Sequence, residues 1–178
     1  MADDGFELAR DIDARCRLHG TFTLRSGQVS DEYFDKYLFE SDPELLRRVV
    51  RAMVPLVPSG TELLGGLELG GVPIAAVLSQ MIKQPALFVR KKAKEYGTQR
   101  LAEGGDPSGR VVTLVEDVIT TGGAVVNAAR ALRSLGATVT TVVCAIDRSG
   151  QGGDALISEG IEIRSVLTKA VLDSVSKD

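Results

Sequence analysis

Hydrophobic and polar positions alternate in blocks that predict a regular succession of helices and strands. Between positions 43 and 57 the apolar residues recur every three or four positions, which predicts an amphipathic helix. Ser41 and Glu44 have the spacing of a capping box, and Pro43 suits the first turn. We therefore expect this helix to begin beside Ser41.

Apolar-rich runs predict strands, and the run at 111–115 suits a strand that is buried on both faces. These runs lie at 62–66, 85–89, 111–115, 139–146 and 161–167, and helical patterns cover 72–82 and 122–135. Gly136 has the position of a helix stop. The alternation predicts an α/β fold with a central, mainly parallel sheet flanked by helices, whose ligands bind beyond the carboxyl ends of the strands.

Composition narrows the class of protein. The 178 residues suit one domain. A net charge of -3 and the absence of Trp give no general sign of nucleic-acid binding. No leader and no apolar stretch long enough for a bilayer are evident, so we expect a soluble, cytoplasmic protein without membrane contact. Cys16 and Cys144 are then expected to be free thiols, with Cys144 buried.

The most specific motif is VVTLVEDVITTGGA, at 111–124. Glu116 and Asp117 follow the apolar run and can accept hydrogen bonds from vicinal hydroxyls. The next residues, Thr120 to Gly123, offer hydroxyls and backbone N–H groups to a phosphate at a helix N-terminus, and we call them the phosphate turn. The combination predicts a site for a ribose 5-phosphate.

A structural turn with solvated acids is the alternative for this motif. Two other glycine-rich motifs fit less well. A Walker loop has Lys where this chain has Ala124, and a dinucleotide fingerprint has its glycines before the acidic residue. The complete run resembles the phosphoribosyl pyrophosphate (PRPP) binding motif of the type I phosphoribosyltransferases.

A basic segment, RKKAKEYG at 90–97, follows the second predicted strand. By itself it suits a solvated loop or a loop that faces an anion. It resembles the flexible catalytic loop of the orotate phosphoribosyltransferases, which implies contacts to pyrophosphate from Arg90 and Lys91 and makes Lys94 the counterpart of the key catalytic lysine. Tyr96 stands where the family usually has His, and a phenol cannot carry positive charge near neutral pH.

Two more segments resemble the same family. FTLRSG at 22–27 resembles its FTLxSG segment, with Arg25 where Lys is common, and the segment implies a hood over the orotate ring with Tyr33 and Phe34 as walls. Arg148 has the position of the arginine that grips the orotate carboxylate. An ion pair within Asp147-Arg148 is the structural alternative.

The glycine loop, at 66–73, occupies the position of the family's pyrophosphate loop. Some members have Lys at the position of Gly70, whereas this chain places the acidic Glu68 nearby. We expect the loop to contribute backbone N–H groups, and the sequence leaves the roles of its side chains open.

The resemblance implies a single phosphoribosyltransferase domain over 1–178, with a small hood from about 1–40 plus the C-terminal segment and a core over about 41–168. It implies transfer of the 5-phosphoribosyl group from PRPP to orotate, giving orotidine 5-monophosphate and pyrophosphate. Mg2+ would be held mainly by substrate and water. A homodimer that shares the 90–105 loop is also implied.

The implied site residues fall into three groups. Those assigned to catalysis are Lys94, Asp117 and Glu116. Those assigned to PRPP are Arg90, Lys91, Lys94, Glu116, Asp117, Thr120, Thr121, Gly122, Gly123 and Ala124. Those assigned to orotate are Arg25, Tyr33, Phe34, Thr120 and Arg148.

Two alternatives share the fold: a non-catalytic PRPP-sensing regulator and a transferase for a purine base. Fewer than two dozen residues precede Phe22, which is short for a DNA-binding domain. A purine transferase would not need Arg148. His19 is the only histidine and lies in a helix-like segment, so a Ser-His-Asp triad or a multi-histidine metal site is not expected.

Overall fold

The computed structural model describes residues 2–23, 27–91 and 101–176, without the side chains of 2–4 and 151–152. Its helices are α1 (Ala2–Cys16), α2 (Tyr37–Glu40), α3 (Pro43–Met53), α4 (Gly71–Ile82), α5 (Gly123–Ser134), α6 (Asp154–Ser158) and α7 (Lys169–Val175). Its strands are β1 (Arg17–Thr23), β2 (Val29–Phe34), β3 (Leu63–Leu67), β4 (Ala86–Val89), β5 (Ala102–Glu103), β6 (Val111–Ile119), β7 (Thr138–Asp147) and β8 (Glu162–Thr168). Short 3-10 turns lie at Val54–Leu56 and Gly150–Gly153.

A six-stranded sheet forms the centre, in the order β5-β4-β3-β6-β7-β8. Every neighbouring pair is parallel except β4 and β5. The chain leaves β3 towards β4 and returns to place β6 on the other side of β3. This reversal leaves a crevice beyond the carboxyl ends of β3 and β6, where ligands bind in open α/β sheets. The predicted α/β architecture is confirmed.

Helices cover both faces of the sheet, and each face has its own apolar core. One core joins α1, α3, α4 and α7 to strand residues such as Leu64 and Val143. The other joins α5 and α6 to residues such as Leu63 and Cys144. Neighbouring strand residues therefore enter opposite cores, which explains why the consecutive residues Leu63 and Leu64 of β3, and Val143 and Cys144 of β7, are all apolar.

The N-terminal part lies beside the first core. Strands β1 and β2 form an antiparallel hairpin, and α1 packs against α7 near the other end of the chain. Arg17 at the start of β1 donates hydrogen bonds to Asp13 of α1 and Glu32 of β2. His19 lies in β1, exposed, so its predicted helical position is wrong. The division into hood and core within one domain stays a prediction.

The helix predicted over 43–57 is present as α3 and the short 3-10 turn after it, but its cap differs from the expectation. Asp42 is the N-cap, and its Oδ1 accepts the N–H groups of Glu44 at 3.0 Å and Leu45 at 3.1 Å. Ser41 instead donates its hydroxyl hydrogen to Leu38 O. Both cysteines are buried and free, as expected. Within the described ranges, no helix is long and apolar enough to cross a membrane.

Candidate active site

The acidic pair lies inside a strand, whereas the sequence places it beyond the strand end. β6 continues to Ile119 and stays paired with β7 as far as Ile119 opposite Asp147. Glu116 is 8% exposed and Asp117 is completely buried. The reading of these acids as solvated turn residues is therefore wrong.

Four residues surround the Asp117 carboxylate: Lys36, Val118, Gly70 and Glu40. Lys36, which precedes α2, places its Nζ 2.5 Å from Oδ2. Oδ1 accepts the N–H of Val118 at 2.5 Å. A Cβ on Gly70 would lie 1.7 Å from Asp117 Oδ2 and 2.7 Å from Glu40 Oε1. Only a residue without a side chain can approach Asp117 so closely, so Lys cannot occupy position 70 in this arrangement.

The protonation states of this cluster follow from burial and from its hydrogen bonds. Burial raises the pKa of Glu116 to about 9, with Asp117 adding to the effect. Burial and Asp117 likewise raise the pKa of Glu40 to about 8. Burial opposes ionisation of Asp117, but hydrogen bonds from Glu116, Glu40 and Lys36 lower its pKa overall. At neutral pH the cluster therefore holds one carboxylate, one ammonium and two neutral carboxyl groups.

The ammonium of this cluster is well matched to its partner. Burial is the largest single influence and works to lower the pKa of Lys36. The hydrogen bond to Asp117 and the negative charge beside it together outweigh burial, so the pKa is raised overall. The ammonium also lies 5.4 Å from the centre of the Tyr37 ring. Lys36 is 34% exposed, so the ion pair presents its positive end to the surroundings and keeps its negative end covered.

The phosphate turn is built from backbone. Gly122 has a φ of +73°, a conformation that favours glycine, and it caps α5 without any side-chain cap. A Cβ there would also lie 2.9 Å from the buried Leu156 side chain. Thr120 and Thr121 are exposed. A cavity of about 60 Å³, lined by Glu116 and residues 118–125, leaves room beside the first N–H groups of α5.

The glycine loop packs tightly under the acidic pair. A Cβ on Gly71 would lie 2.3 Å from Val115 O, so the first turn of α4 rests directly on β6. Gly70 is the N-cap of α4, and no side chain caps that helix. Glu68 is held at the end of β4, because its Oε2 accepts the N–H of Lys91 at 2.9 Å.

A larger cleft of about 370 Å³ opens between the ends of β3 and β4 and the side of α5. Arg90 and Lys91 line it, together with Glu68, Ala124 and Asn127. The N–H of Arg90 donates to Leu101 O at 2.8 Å, whereas its buried Nε has no hydrogen-bond partner within the described residues. The cleft therefore brings the first two predicted cations near the start of α5.

Arg148 lies where the hairpin meets the sheet. The carbon of its guanidinium lies 5.5 Å from the centre of the Phe34 ring. Its backbone N–H donates to Ile119 O at 2.8 Å. Asp147 accepts hydrogen bonds from the N–H and hydroxyl of Ser149. Tyr33 is exposed and its ring packs 5.5 Å from that of Phe22.

The predicted residues thus fall into three groups, the smallest being Tyr33 alone, which is exposed on the hairpin beside Phe22. Those at the carboxyl edge of the sheet come together around β6, namely Arg90, Lys91, Glu116, Asp117, the phosphate turn, Ala124, Phe34 and Arg148. Arg25, Lys94 and Tyr96 lie outside the described residues. The sequence reading missed Lys36 and Glu40, since residues four apart on a short helix usually indicate a solvated pair.

Known proteins resemble the chain over most of its length. Residues 62–164, more than half of the chain, match the family model described as phosphoribosyl transferase domain. The orotate phosphoribosyltransferase of Nocardioides sp. is 68% identical over 167 residues, covering 94% of this chain and 93% of that protein. That of Methanocella arvoryzae is 41% identical over 153 residues, covering 86% and 87%.

Solved structures agree with these relatives. The orotate phosphoribosyltransferase of Mycobacterium tuberculosis in complex with PRPP has a TM-score of 0.79 at 29% identity, covering 96% of this chain and 99% of that one. An adenine phosphoribosyltransferase from Thermoanaerobacter pseudethanolicus has a TM-score of 0.69 at 19% identity, and shares the fold alone. The chain therefore belongs to the orotate phosphoribosyltransferases of the type I phosphoribosyltransferase family, the pentosyltransferases that transfer the phosphoribosyl group of PRPP to orotate in pyrimidine biosynthesis.

Proposed function

We propose that the carboxyl edge of β6 and β7 binds both substrates. The phosphate turn takes the 5-phosphate, the acidic pair holds the ribose through Glu116 with Asp117 supporting it from behind, and Arg148 takes the orotate carboxylate. One observation carries this assignment: Arg148 is tied to the last residue of β6 through Ile119 O, immediately before the phosphate turn. Both substrates would then meet within a few ångströms of one strand end.

The phosphate turn binds its ligand through N–H groups and hydroxyls. The uncapped start of α5 supplies N–H groups with a positive partial charge, and Thr120 and Thr121 add exposed hydroxyls. Gly122, Gly123 and Ala124 keep side chains small where the phosphate approaches. Glu116, which lines the same cavity, then lies in reach of the ribose hydroxyls, and Asp117 supports it from behind.

Orotate is held by complementary shape and charge. The guanidinium of Arg148 can donate two parallel hydrogen bonds to the orotate carboxylate. Its position over Phe34 leaves the aromatic wall of the hairpin beside the ring, with Tyr33 further out. Arg25 and Thr120 complete the proposed orotate contacts, although Arg25 lies outside the described residues.

The chemistry requires no protein nucleophile. As pyrophosphate leaves, C1 of the ribose gains positive character and negative charge grows on the departing oxygens. Arg90, Lys91 and Lys94 stabilise that charge, and Lys94 is the proposed catalytic residue. The bond between C1 and the pyrophosphate oxygen breaks, orotate N1 bonds to C1, and the proton that N1 carried passes to the departing pyrophosphate or to water. Closure of the 90–105 segment would keep water from C1.

Magnesium is proposed to enter with PRPP. Asp117 is already paired with Lys36, and burial keeps Glu116 protonated near neutral pH, so these carboxyl groups are poor cation ligands in this arrangement. Oxygens of the substrate and water would hold the ion, which would neutralise charge on the pyrophosphate. We further propose a homodimer that shares the 90–105 segment and a cytoplasmic location, which two free buried thiols suit.

Two variants test the placement of the substrates in steady-state assays that follow orotate absorbance. Arg148→Ala is expected to raise the KM for orotate at least tenfold while leaving the KM for PRPP nearly unchanged, because a hydrogen bond to a charged group contributes about 1.5–3 kcal/mol. Lys94→Ala is expected to lower kcat by about 10²–10³, the effect of losing one charge-stabilising donor.

The opposite pattern would refute the assignment. If Arg148→Ala weakens PRPP and spares orotate, the two substrates are misplaced. If Lys94→Ala keeps its turnover, the charge on the leaving group is stabilised elsewhere.

A further inference from the structure

We infer that Lys36 is a further substrate-binding residue, whose ammonium is fixed by Asp117 at the start of α4 and contacts the pyrophosphate group of PRPP. The inference rests on the proposed placement of pyrophosphate at the glycine loop. It gives Lys36 a direct contact and makes Asp117 the residue that positions it.

The ion pair between Lys36 and Asp117 faces outward with its positive end. Asp117 is completely buried, whereas Lys36 is 34% exposed. An incoming ligand therefore meets the ammonium and not the carboxylate behind it. An ammonium has three N–H donors, and the ion pair joins it to a single Asp117 oxygen, so donors remain for a ligand.

The ammonium of Lys36 lies at the start of α4. A Cβ on Gly70 would fall 1.7 Å from the Asp117 oxygen that Lys36 contacts, so the ammonium lies beside the N-cap of α4. That helix is 12 residues long and has no side-chain cap, and the N–H of Val72 in its first turn donates to Leu69 O at 3.1 Å. The positive end of the helix dipole still favours an anion there. A cation and a helix N-terminus thus lie together where the proposed loop receives pyrophosphate.

The glycine loop has no cationic side chain of its own. Position 70 has no room for a side chain, and Glu68 is acidic and bonded to the Lys91 N–H. Lys36 brings a cation to the loop from the hood instead. Glu40 does not compete for it, because burial raises the pKa of Glu40 to about 8 and keeps it neutral at pH 7.

Binding of separate ligands tests the inference by isothermal titration calorimetry. Lys36→Met is expected to weaken magnesium pyrophosphate and PRPP by about 10- to 100-fold, the range for a hydrogen bond between charged groups. Orotidine 5-monophosphate has the ribose phosphate but no pyrophosphate, and its affinity is expected to stay within about twofold. Lys83→Met, at the opposite end of α4, is the matched control and should change neither ligand.

A double variant guards against misfolding, since Lys36→Met leaves the Asp117 charge buried and unpaired. Lys36→Met with Asp117→Asn removes that charge, and it should keep the loss of pyrophosphate binding while regaining thermal stability. The inference is overturned if orotidine 5-monophosphate weakens as much as PRPP, or if pyrophosphate binding is unchanged. Should Lys94→Ala and Lys91→Ala also leave pyrophosphate binding unchanged, the proposed placement of pyrophosphate fails as well.

Discussion

The two halves of the 111–124 motif work by different physical means, although only Val118 and Ile119 separate them. The phosphate turn is made by the backbone of its own residues, with a positive φ at Gly122 and the uncapped start of α5. The acidic half depends on side chains and glycines from elsewhere, namely Lys36, Glu40 and Gly70. A local backbone site and a buried electrostatic cluster should therefore fail in different ways.

The largest effect is expected at the acidic half, from Gly70→Ala. The new Cβ would need the space of Asp117 Oδ2, so the carboxylate must leave Lys36. Disrupting a buried ion pair costs about 3–5 kcal/mol, which we expect as a loss in the free energy of unfolding measured with urea. Gly60→Ala, where a Cβ meets no atom within 4 Å, is the control and should change little.

Inorganic phosphate separates the halves in the same variant. Because the phosphate turn does not depend on Gly70, phosphate affinity should persist in folded Gly70→Ala while PRPP affinity falls. Equal losses for both ligands would show that the two halves are coupled.

Gly122→Ala should break the phosphate turn and spare the acidic cluster. A left-handed conformation costs a residue with a Cβ about 1–2 kcal/mol. Crowding against Leu156 adds about 1–3 kcal/mol of overpacking. Gly160→Ala isolates the first cost, since Gly160 has a φ of +65° and open space around it. Thermal denaturation should place Gly122→Ala below Gly160→Ala, and only Gly122→Ala should lose phosphate binding; equal stability would remove the role of Leu156.

The pH dependence of stability tests the acidic half of the motif alone. The pKa of Glu40 is raised from 4.5 to about 8, so between these values the folded protein binds a proton that the unfolded chain has released. Stability must then fall as the pH rises through this window, by up to about 1.4 kcal/mol per pH unit. Glu40→Gln cannot ionise and should remove the share of that fall that Glu40 contributes, while Glu116, whose pKa is raised to about 9, keeps its own share.

The control for the pH series is Glu44→Gln, at an exposed carboxylate whose pKa Arg47 lowers. It should keep the slope of the unchanged protein between pH 5 and 8. A slope in Glu40→Gln that matches the unchanged protein would show that Glu40 ionises normally in the fold.

The smallest effect is expected from Glu68→Ala, which removes the acceptor for the Lys91 N–H. The loss should be about 0.5–1.5 kcal/mol, seen as faster amide hydrogen exchange at Lys91. Glu62→Ala is the matched control, because Glu62 accepts the N–H of Val111 at 2.9 Å, at the start of β6. Unchanged exchange at Lys91 would show that Glu68 does not hold the base of the basic segment.

The same contrast explains what could be predicted from the sequence. The phosphate turn was predictable because its glycines and threonines act through their own backbone and hydroxyls. Lys36 and Glu40 gave no such signal, since their roles arise from contacts with a strand far along the chain. Glu40 and Glu116 are buried and neutral in the fold, but the sequence does not distinguish them from exposed, charged glutamates.

Errors at element ends have equally specific causes. The acidic pair interrupts an apolar run and suggests a strand end, but β6 continues because its ladder with β7 continues. Asp42 directly precedes Pro43 in the first helical position, which makes Asp42 the natural N-cap in place of Ser41. The strand order was not predictable from the pattern, because periodicity reports burial and not neighbours.

The two cysteines lie in different layers of the molecule. Cys16 belongs to the core under α1, and Cys144 to the core under α5. Burial raises the pKa of the Cys16 thiol to about 12, and burial likewise raises that of Cys144 above its ordinary value. Neither reacts readily with an alkylating reagent until its layer opens. Each core thus carries one natural thiol. Alkylation followed by mass analysis of the peptides can therefore measure the opening rate of each core separately in the protein without substitutions.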